Sequence, residues 1–288
     1  MKIAITGSHG YIGQKLVTQL EKQGHEMKPL TRLLIYGNAE AFAAELAGCE
    51  GLINLSGAPI LKRWTKLNKS VIYNSRVVTT AKLTQAVNLL PGGKKPKVFV
   101  SMSATGIYSP SGSHDENSSD FDAGFIGELV KDWESATDTL DGGVRRVIFR
   151  TGVVLGKNSQ TIQNLLPVFK AGFGGKIGHG KQAFPFIHID DLITAFSQSI
   201  ADSAFTGVYN LTAPEQATNE TLTNLLAERL RKPVFFRVPA FLLKLAYGSA
   251  AQLMLESPFV VPDRLLRQGF TFRYPTLAES LQEIVGEG

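Results

Sequence analysis

The chain of 288 residues has a single cysteine, Cys49, which excludes an internal disulfide and any metal site built from several thiolates, and points to a reducing compartment. Long apolar runs are also missing. The most apolar stretch, PVFFRVPAFLLKLAYGSAAQLML, is interrupted by Arg237, Pro239 and Lys244, so it cannot supply the roughly 20 apolar residues of a membrane span and reads as an amphipathic core helix. Nor is there space for a leader, because an apolar strand pattern begins directly after Met1; the expectation is a cytoplasmic protein with no membrane partner. Dense basic runs interleaved with aromatics are absent too. The net charge of +5 is scattered, which argues against a nucleic-acid partner and suits a protein whose ligands carry phosphates. A charged fraction of 19% beside 43% hydrophobic residues describes a folded globular chain rather than a disordered one.

What is present begins at the first residues, MKIAITGSHGYIG. Ile3, Ala4 and Ile5 read as a short buried strand, and Ile12, Leu16, Val17 and Leu20 carry helical spacing. Gly7, Gly10 and Gly13 therefore sit at a strand-to-helix turn with the spacing G-x-x-G-x-x-G, where glycines permit a sharp turn, a close backbone approach to a pyrophosphate and tight helix packing. The amides of the first helical turn would face the anion. In dinucleotide sites an acid about 20 residues further on binds the ribose 2′-hydroxyl. Here HEMKPLTR reads as a second strand ending at Arg32, and no carboxylate lies between Lys28 and Leu34. The planar fork of Arg32 suits a 2′-phosphate, so NADP(H) is expected over NAD(H).

Further strands are predicted in CEGLINLSGA, KPKVFVSMSATGIY and RRVIFRTGVVLG, with helices over Lys66 to Leu90 and in DWESATDTL. Strands alternating with helices predict an α/β fold, a doubly wound parallel Rossmann sheet. Past Gly156 the loop KAGFGGKIGHGKQ and a proline-spaced tail mark a change of character. The expected organisation is a dinucleotide-binding domain over 1–156 and a smaller substrate lobe over 157–288, with a segment near 205–230, containing TGVYNLTA, returning to the main sheet.

The stretches ITGSHGYIG, INLSGAPI, RWT, NSRVVTTAKL, SMSATGIY, DWE, FRTGVVLGK, GGKIGHGKQAFPFIHIDDL and RQGFTFRYPTLAESL run in order over nearly the full length. With them the chain resembles the extended short-chain dehydrogenase/reductase superfamily, in its NAD(P)-dependent, nucleoside-diphosphate-sugar epimerase-like subgroup. The resemblance implies that Gly7, Ser8, Gly10, Tyr11, Ile12 and Gly13 line the pyrophosphate and Arg32 the adenosine phosphate. Leu55, Ser56 and Gly57, in the turn after the fourth strand of the family, would pass beside the riboses. Ser103 matches the serine that hydrogen-bonds the reacting carbonyl or hydroxyl, with Ser101 as the alternative two residues away.

The superfamily's acid/base pair, Tyr-x-x-x-Lys, has no counterpart near this helix. Aligning DWE on the family's glutamate puts Ile126 at the tyrosine position and Val130 at the lysine position, and Lys131 would face about 100° away. A substitute donor is then needed. Tyr108 is the nearest candidate because it follows Ser103 in the same loop, with Glu116 and Arg63 behind it. His188, Asp190 and Asp191 look like a metal cluster on paper, but in such a fold they cap a helix expected to begin at Leu192, so no metal is expected. Lys62, Arg63 and Trp64 could clamp an anion or form a solvated turn. Two functions follow: an NADP(H)-dependent oxidoreductase or epimerase on a small anionic or sugar-like substrate, or a regulatory protein that binds NADP(H) without turnover. A small-molecule substrate is the expected partner, and a homodimer stays open as the assembly.

Overall fold

A computed structural model describes residues 1–286. Along the chain, β1 (Lys2–Thr6) leads to α1 (Tyr11–Lys22), β2 (Glu26–Leu30), α2 (Arg32–Ile35), α3 (Ala39–Leu46) and β3 (Gly51–Asn54). Next come α4 (Lys66–Tyr73), a π-helical turn at Asn74–Val78, α5 (Thr79–Leu89), β4 (Val98–Ala104), β5 (Ser113–His114), α6 (Phe125–Ser135) and β6 (Arg145–Thr151). They are followed by β7 (Val153–Leu155), α7 (Gln160–Lys170), β8 (Gly175–Ile177), β9 (Phe186–His188), α8 (Ile189–Ala201), β10 (Gly207–Leu211) and α9 (Asn219–Arg229). The chain ends with β11 (Phe236–Val238), α10 (Ala240–Tyr247), α11 (Gln252–Leu255), β12 (Phe259–Val260), α12 (Asp263–Arg267) and α13 (Leu277–Val285).

Six strands form one parallel sheet in the order β2-β1-β3-β4-β6-β10. Both faces are covered, which is why β1, β3 and β6 read as apolar runs. Ile3 and Ile5 point to one side, where they pack with Leu16, Leu20, Phe149 and Phe196. Ala4, between them, points to the other side, with Leu52, Phe42, Leu83 and Phe99. Pro29 is tolerated because β2 lies at the sheet edge. The strand order reverses between β1 and β3, and a doubly wound sheet offers its ligand crevice at the carboxyl ends of the strands beside that reversal.

The segment expected to be one strand at RRVIFRTGVVLG is two, β6 in the main sheet and β7 paired with β9. The break is at Gly152, where a Cβ would come within 2.6 Å of the Pro185 carbonyl oxygen. The smaller lobe packs around Leu155, Ile162, Phe186, Leu222, Leu226, Leu277 and Leu281. The returning segment differs from the expected 205–230. It comprises α8 and β10, since Leu192, Phe196 and Leu211 join the main core, whereas Leu222 and Leu226 of α9 pack in the smaller lobe. Leu265 and Phe270, much later in sequence, also close the main core.

Two further expectations change. Strand β2 ends at Leu30, and Thr31 then caps α2 by accepting a hydrogen bond from the Leu34 amide, so Arg32 opens a helix rather than closing a strand. The apolar stretch expected to be a core helix breaks into β11, α10 and α11; α10 has no buried residue, and Phe241 and Leu245 are exposed. Among the described residues no helix is long and apolar enough to cross a membrane.

Candidate functional site

The glycine loop joins β1 to α1 at the strand-order reversal. Gly7 has φ +69°, a conformation that side chains disfavour, and a Cβ there would lie 2.7 Å from the Leu55 carbonyl oxygen. The Gly10 amide donates to the Gly7 carbonyl at 3.0 Å, and a Cβ on Gly13 would collide with that same carbonyl. Gly10 is the N-cap of α1, with no side-chain hydrogen bond there, while Thr31, Asn38, Thr65, Ser159, Thr218 and Thr276 cap other helices with side-chain oxygens. A closely wound loop ending in a helix start without a side-chain cap fits a pyrophosphate.

Not every residue assigned to this loop offers a side chain to it. The Tyr11 hydroxyl donates to the Lys157 carbonyl at 2.9 Å, and burial pushes its pKa up to about 12. Ile12 packs on the main core. Both can serve the loop only through their backbone. The Ser8 hydroxyl lies 3.2 Å from His9 Nδ1. Arg32 is exposed, and no carboxylate pairs with it among the described residues.

The Leu55–Gly57 turn follows the third strand in chain order rather than the fourth, and its conformation is fixed by a buried polar row. Register sets Thr6 of β1 beside Asn54 of β3, and Asn54 beside Ser101 of β4. Thr6 Oγ1 donates to Asn54 Oδ1 at 2.8 Å and accepts from the Leu55 amide at 3.1 Å, and the Ser56 amide donates to Asn54 Oδ1 at 3.2 Å. Asn54 Nδ2 in turn donates to Thr80 Oγ1 at 2.8 Å and Ser101 Oγ at 3.3 Å.

Two residues along β4, on the same face, register sets Ser103 beside Arg150 of β6, and Arg150 beside Asn210 of β10. Ser103 Oγ donates to Glu134 Oε1 at 2.6 Å. Arg150 grips the same carboxylate with Nε at 2.9 Å and Nη2 at 2.7 Å, and its Nη1 donates to the Tyr108 hydroxyl at 2.9 Å. Tyr108 donates onward to Asn210 Oδ1 at 2.7 Å. Burial opposes the charge on Arg150, yet the Glu134 hydrogen bonds and charge outweigh it and raise its pKa above the usual arginine value.

The expected substitute donor is therefore corrected. Tyr108 is 1% exposed, stacks on His114 at 5.0 Å between ring centroids, and has its hydroxyl engaged on both sides. Burial, partly offset by Arg150, raises its pKa. It is a structural member of the network, with no face open to a ligand. Ile126 and Val130, at the family's tyrosine and lysine positions, are buried with Leu129 and Ile107, and a Cβ on Gly106 would come within 2.6 Å of Ile126 Cγ2. Hydrocarbon fills both positions. The Lys131 ammonium instead sits 5.2 Å from the centroid of the Phe121 ring.

The remaining candidates are also placed. Glu116 accepts from the amides of Asn210 and Arg264, and burial raises its pKa. Arg63 donates to the Leu245 carbonyl, Lys62 is exposed, and Trp64 is buried against Phe125, so the three do not form one clamp. Helix α8 starts at Ile189, earlier than Leu192, and His188 is its N-cap. Asp191 accepts from the amides of Arg273 and Tyr274 at 2.7 and 3.0 Å. Among the described residues no group of three His, Cys, Asp or Glu side chains is placed to hold a metal. Sequence alone gives Asn54, Thr80, Glu134, Arg150 and Asn210 no role. Most lie inside the stretches that carry the resemblance, but only strand register shows that they meet.

Residues 3–212 match the model of the NAD dependent epimerase/dehydratase family, and residues 238–284 match a domain of unknown function. The human epimerase family protein SDR39U1 is 33% identical over 99% of this chain and 100% of its own length. Its chloroplastic homologue from Arabidopsis thaliana is 31% identical over 99% of this chain and 87% of its own. The crystal structure of human SDR39U1 (isoform 2) with NADPH superposes with a TM-score of 0.91 at 32% identity, covering 99% of each chain. With a Rossmann sheet, a glycine loop at its reversal point and these relatives, the chain belongs to the NAD dependent epimerase/dehydratase family, as an extended short-chain dehydrogenase/reductase of the nucleoside-diphosphate-sugar epimerase-like kind.

Proposed function

We propose that this chain is an NADP(H)-dependent oxidoreductase or epimerase acting on a small anionic or sugar-like hydroxyl or carbonyl compound. The glycine loop carries the reading: without Cβ atoms at Gly7 and Gly13 it winds closely against Leu55 and itself, and Gly10 opens α1 with no side-chain cap so that the first amides are free for a pyrophosphate. Arg32 is exposed with no carboxylate paired to it among the described residues. The NADPH in the human relative supports it. A bound nicotinamide would supply or accept hydride, and the protein must orient the substrate and manage a proton. Ser103 is closed off much as Tyr108 is: it is 3% exposed and its proton goes to Glu134, whose carboxylate the Arg150 fork fixes. It reaches a substrate hydroxyl only through its remaining lone pairs and only if the end of β4 opens on binding.

A second reading, binding without turnover, is favoured by the hydrocarbon at Ile126 and Val130 and the enclosed Tyr108. One experiment separates the two. NADPH and NADH are titrated by fluorescence, then NADPH deuterated at C4 is incubated with a panel of carbonyl compounds, and NADP⁺ with a panel of sugar nucleotides. Binding followed by label transfer, or by conversion of a substrate's configuration, establishes the enzyme. Binding with neither across the panel selects the second reading, and absence of binding removes both.

A further inference from the structure

The helical stretch from Lys66 to Leu89 is interrupted by the π-helical turn Asn74–Val78, and Arg76 is its central residue. A π turn has weaker geometry than the helix around it, and such turns concentrate where they aim a functional side chain. Here the guanidinium lies over Trp133, 5.3 Å from the ring centroid, and Nη1 donates to the carbonyls of Ala58 at 3.0 Å and Ile72 at 3.4 Å. Its outer edge runs under the Leu55–Gly57 turn. A Cβ on Gly57 would meet Nη2 at 3.1 Å. Gly57 is exposed and does not have a positive φ, so its backbone does not demand glycine. The missing side chain instead leaves a window onto the guanidinium.

Counter-charge is absent. Among the described residues no carboxylate pairs with Arg76, Nε and Nη2 make no hydrogen bond, and burial alone pulls its pKa down to about 10. Arg150, by contrast, grips Glu134, and Arg145 spends both terminal nitrogens on the carbonyls of Ser199, Ile200 and Phe205. A half-buried guanidinium with two nitrogens free of hydrogen bonds and no carboxylate beside it gains from a ligand that supplies the counter-charge.

We infer that Arg76 is an anion-recognition residue, whose Nε and Nη2 receive a carboxylate or phosphate of the substrate in a two-pronged contact through the window at Gly57. This rests on the cofactor reading above, because the Leu55–Gly57 turn is the one assigned to the cofactor riboses. The fork geometry favours a planar or tetrahedral oxyanion over a neutral sugar hydroxyl. It makes Arg76 a specificity-determining residue for an anionic substrate.

Calorimetric titration of malonate and of inorganic phosphate, each into free and into NADP⁺-saturated protein, tests this. Wild-type protein should bind at least one anion with NADP⁺ present. Arg76→Gln should weaken that binding by about tenfold or more, and Arg76→Lys by less, since a point charge lacks the fork. NADP⁺ affinity should stay within about twofold of wild type, a ΔΔG below roughly 0.5 kcal/mol. Gly57→Ala, which closes the window with Arg76 in place, should weaken anion binding too and serves if Arg76→Gln does not fold. Equal anion affinity in wild type and Arg76→Gln, or no anion binding by wild type, overturns the proposal. Displacement of NADP⁺ by the anion, or an equal loss of NADP⁺ affinity in Arg76→Gln, assigns the residue to a cofactor phosphate and also overturns it. If wild type fails to bind NADP⁺, the cofactor reading falls, and the titrations of free protein still decide the anion site.

Discussion

Glu134 accepts hydrogen bonds from Ser103 and from two nitrogens of Arg150, with side-chain exposures of 13% for Glu134 and 7% for Arg150. Removing the charge of one partner strands the other in a site closed to water. Glu134→Gln is therefore expected to cost about 3–5 kcal/mol, read from urea unfolding midpoints, the usual penalty for breaking a buried pair. A loss below about 1 kcal/mol would show that the pair is not held tightly. Tyr108→Phe leaves Arg150 Nη1 and Asn210 Oδ1 each short of a partner, for an expected loss of about 1–3 kcal/mol. Unlike a catalytic acid, it should leave the rate of any turnover near wild type at temperatures where the variant is folded. Arg32 belongs to binding rather than stability, being exposed at the start of α2. Arg32→Ala should erase a preference for NADPH over NADH of roughly tenfold to hundredfold, measured by fluorescence titration; equal wild-type affinities for the two would remove Arg32 from cofactor choice.

Helix α8 starts on a histidine rather than a hydroxyl or carboxylate. His188 Nδ1 accepts from the Asp190 amide at 3.2 Å, while Nε2 faces Glu283 Oε2 at 3.3 Å, so the cap requires an unprotonated Nδ1. Burial lowers the imidazole pKa from 6.5 although Asp190, Glu283 and Asp191 pull it upward. A base whose folded pKa is depressed takes up its proton first in the unfolded chain. The stability tied to His188 is then complete above about pH 6.5 and is lost as pH falls from there toward the folded value. His188→Asn keeps a good cap without titrating. The difference in urea midpoint between wild type and this variant should shrink from pH 7.5 to pH 5.5; a constant difference would mean the imidazole does not report on folding. The elements themselves were legible where the signal is local: the glycine spacing before α1, the apolar runs of β1, β3 and β4, and the return of TGVYNLTA as β10. The error at Leu192 came from reading His188 and its neighbours as one capping group, when the two aspartates have different tasks. The error at α10 came from treating apolar content as burial, although a helix can carry Phe241 and Leu245 facing outward.

At the scale of the molecule, the lobes do not divide at one point in the sequence. Residues from α8, β10 and the segment around Leu265 and Phe270 complete the core begun by Ile3. Glu283 of α13 pairs with Lys157, whose carbonyl holds Tyr11 beside the glycine loop. Both tryptophans, Trp64 and Trp133, lie outside the smaller lobe. Tryptophan fluorescence and far-UV circular dichroism should still give one coincident unfolding midpoint; separate midpoints would show a lobe that melts alone. The network behind Ser103 was not legible in sequence because its hydrogen bonds join residues 16 to 102 positions apart, and only strand register decides which meet. That scatter bears on inheritance. Ser103, Tyr108, Glu134, Arg150 and Asn210 can be passed on only as a set, since a new residue at one place strands its neighbours. A gene recombined between two relatives with different versions of the set, with the crossover anywhere between codons 103 and 210, would encode a mismatched interior, whereas a crossover before Ser103 or after Asn210 would transmit one parent's set whole.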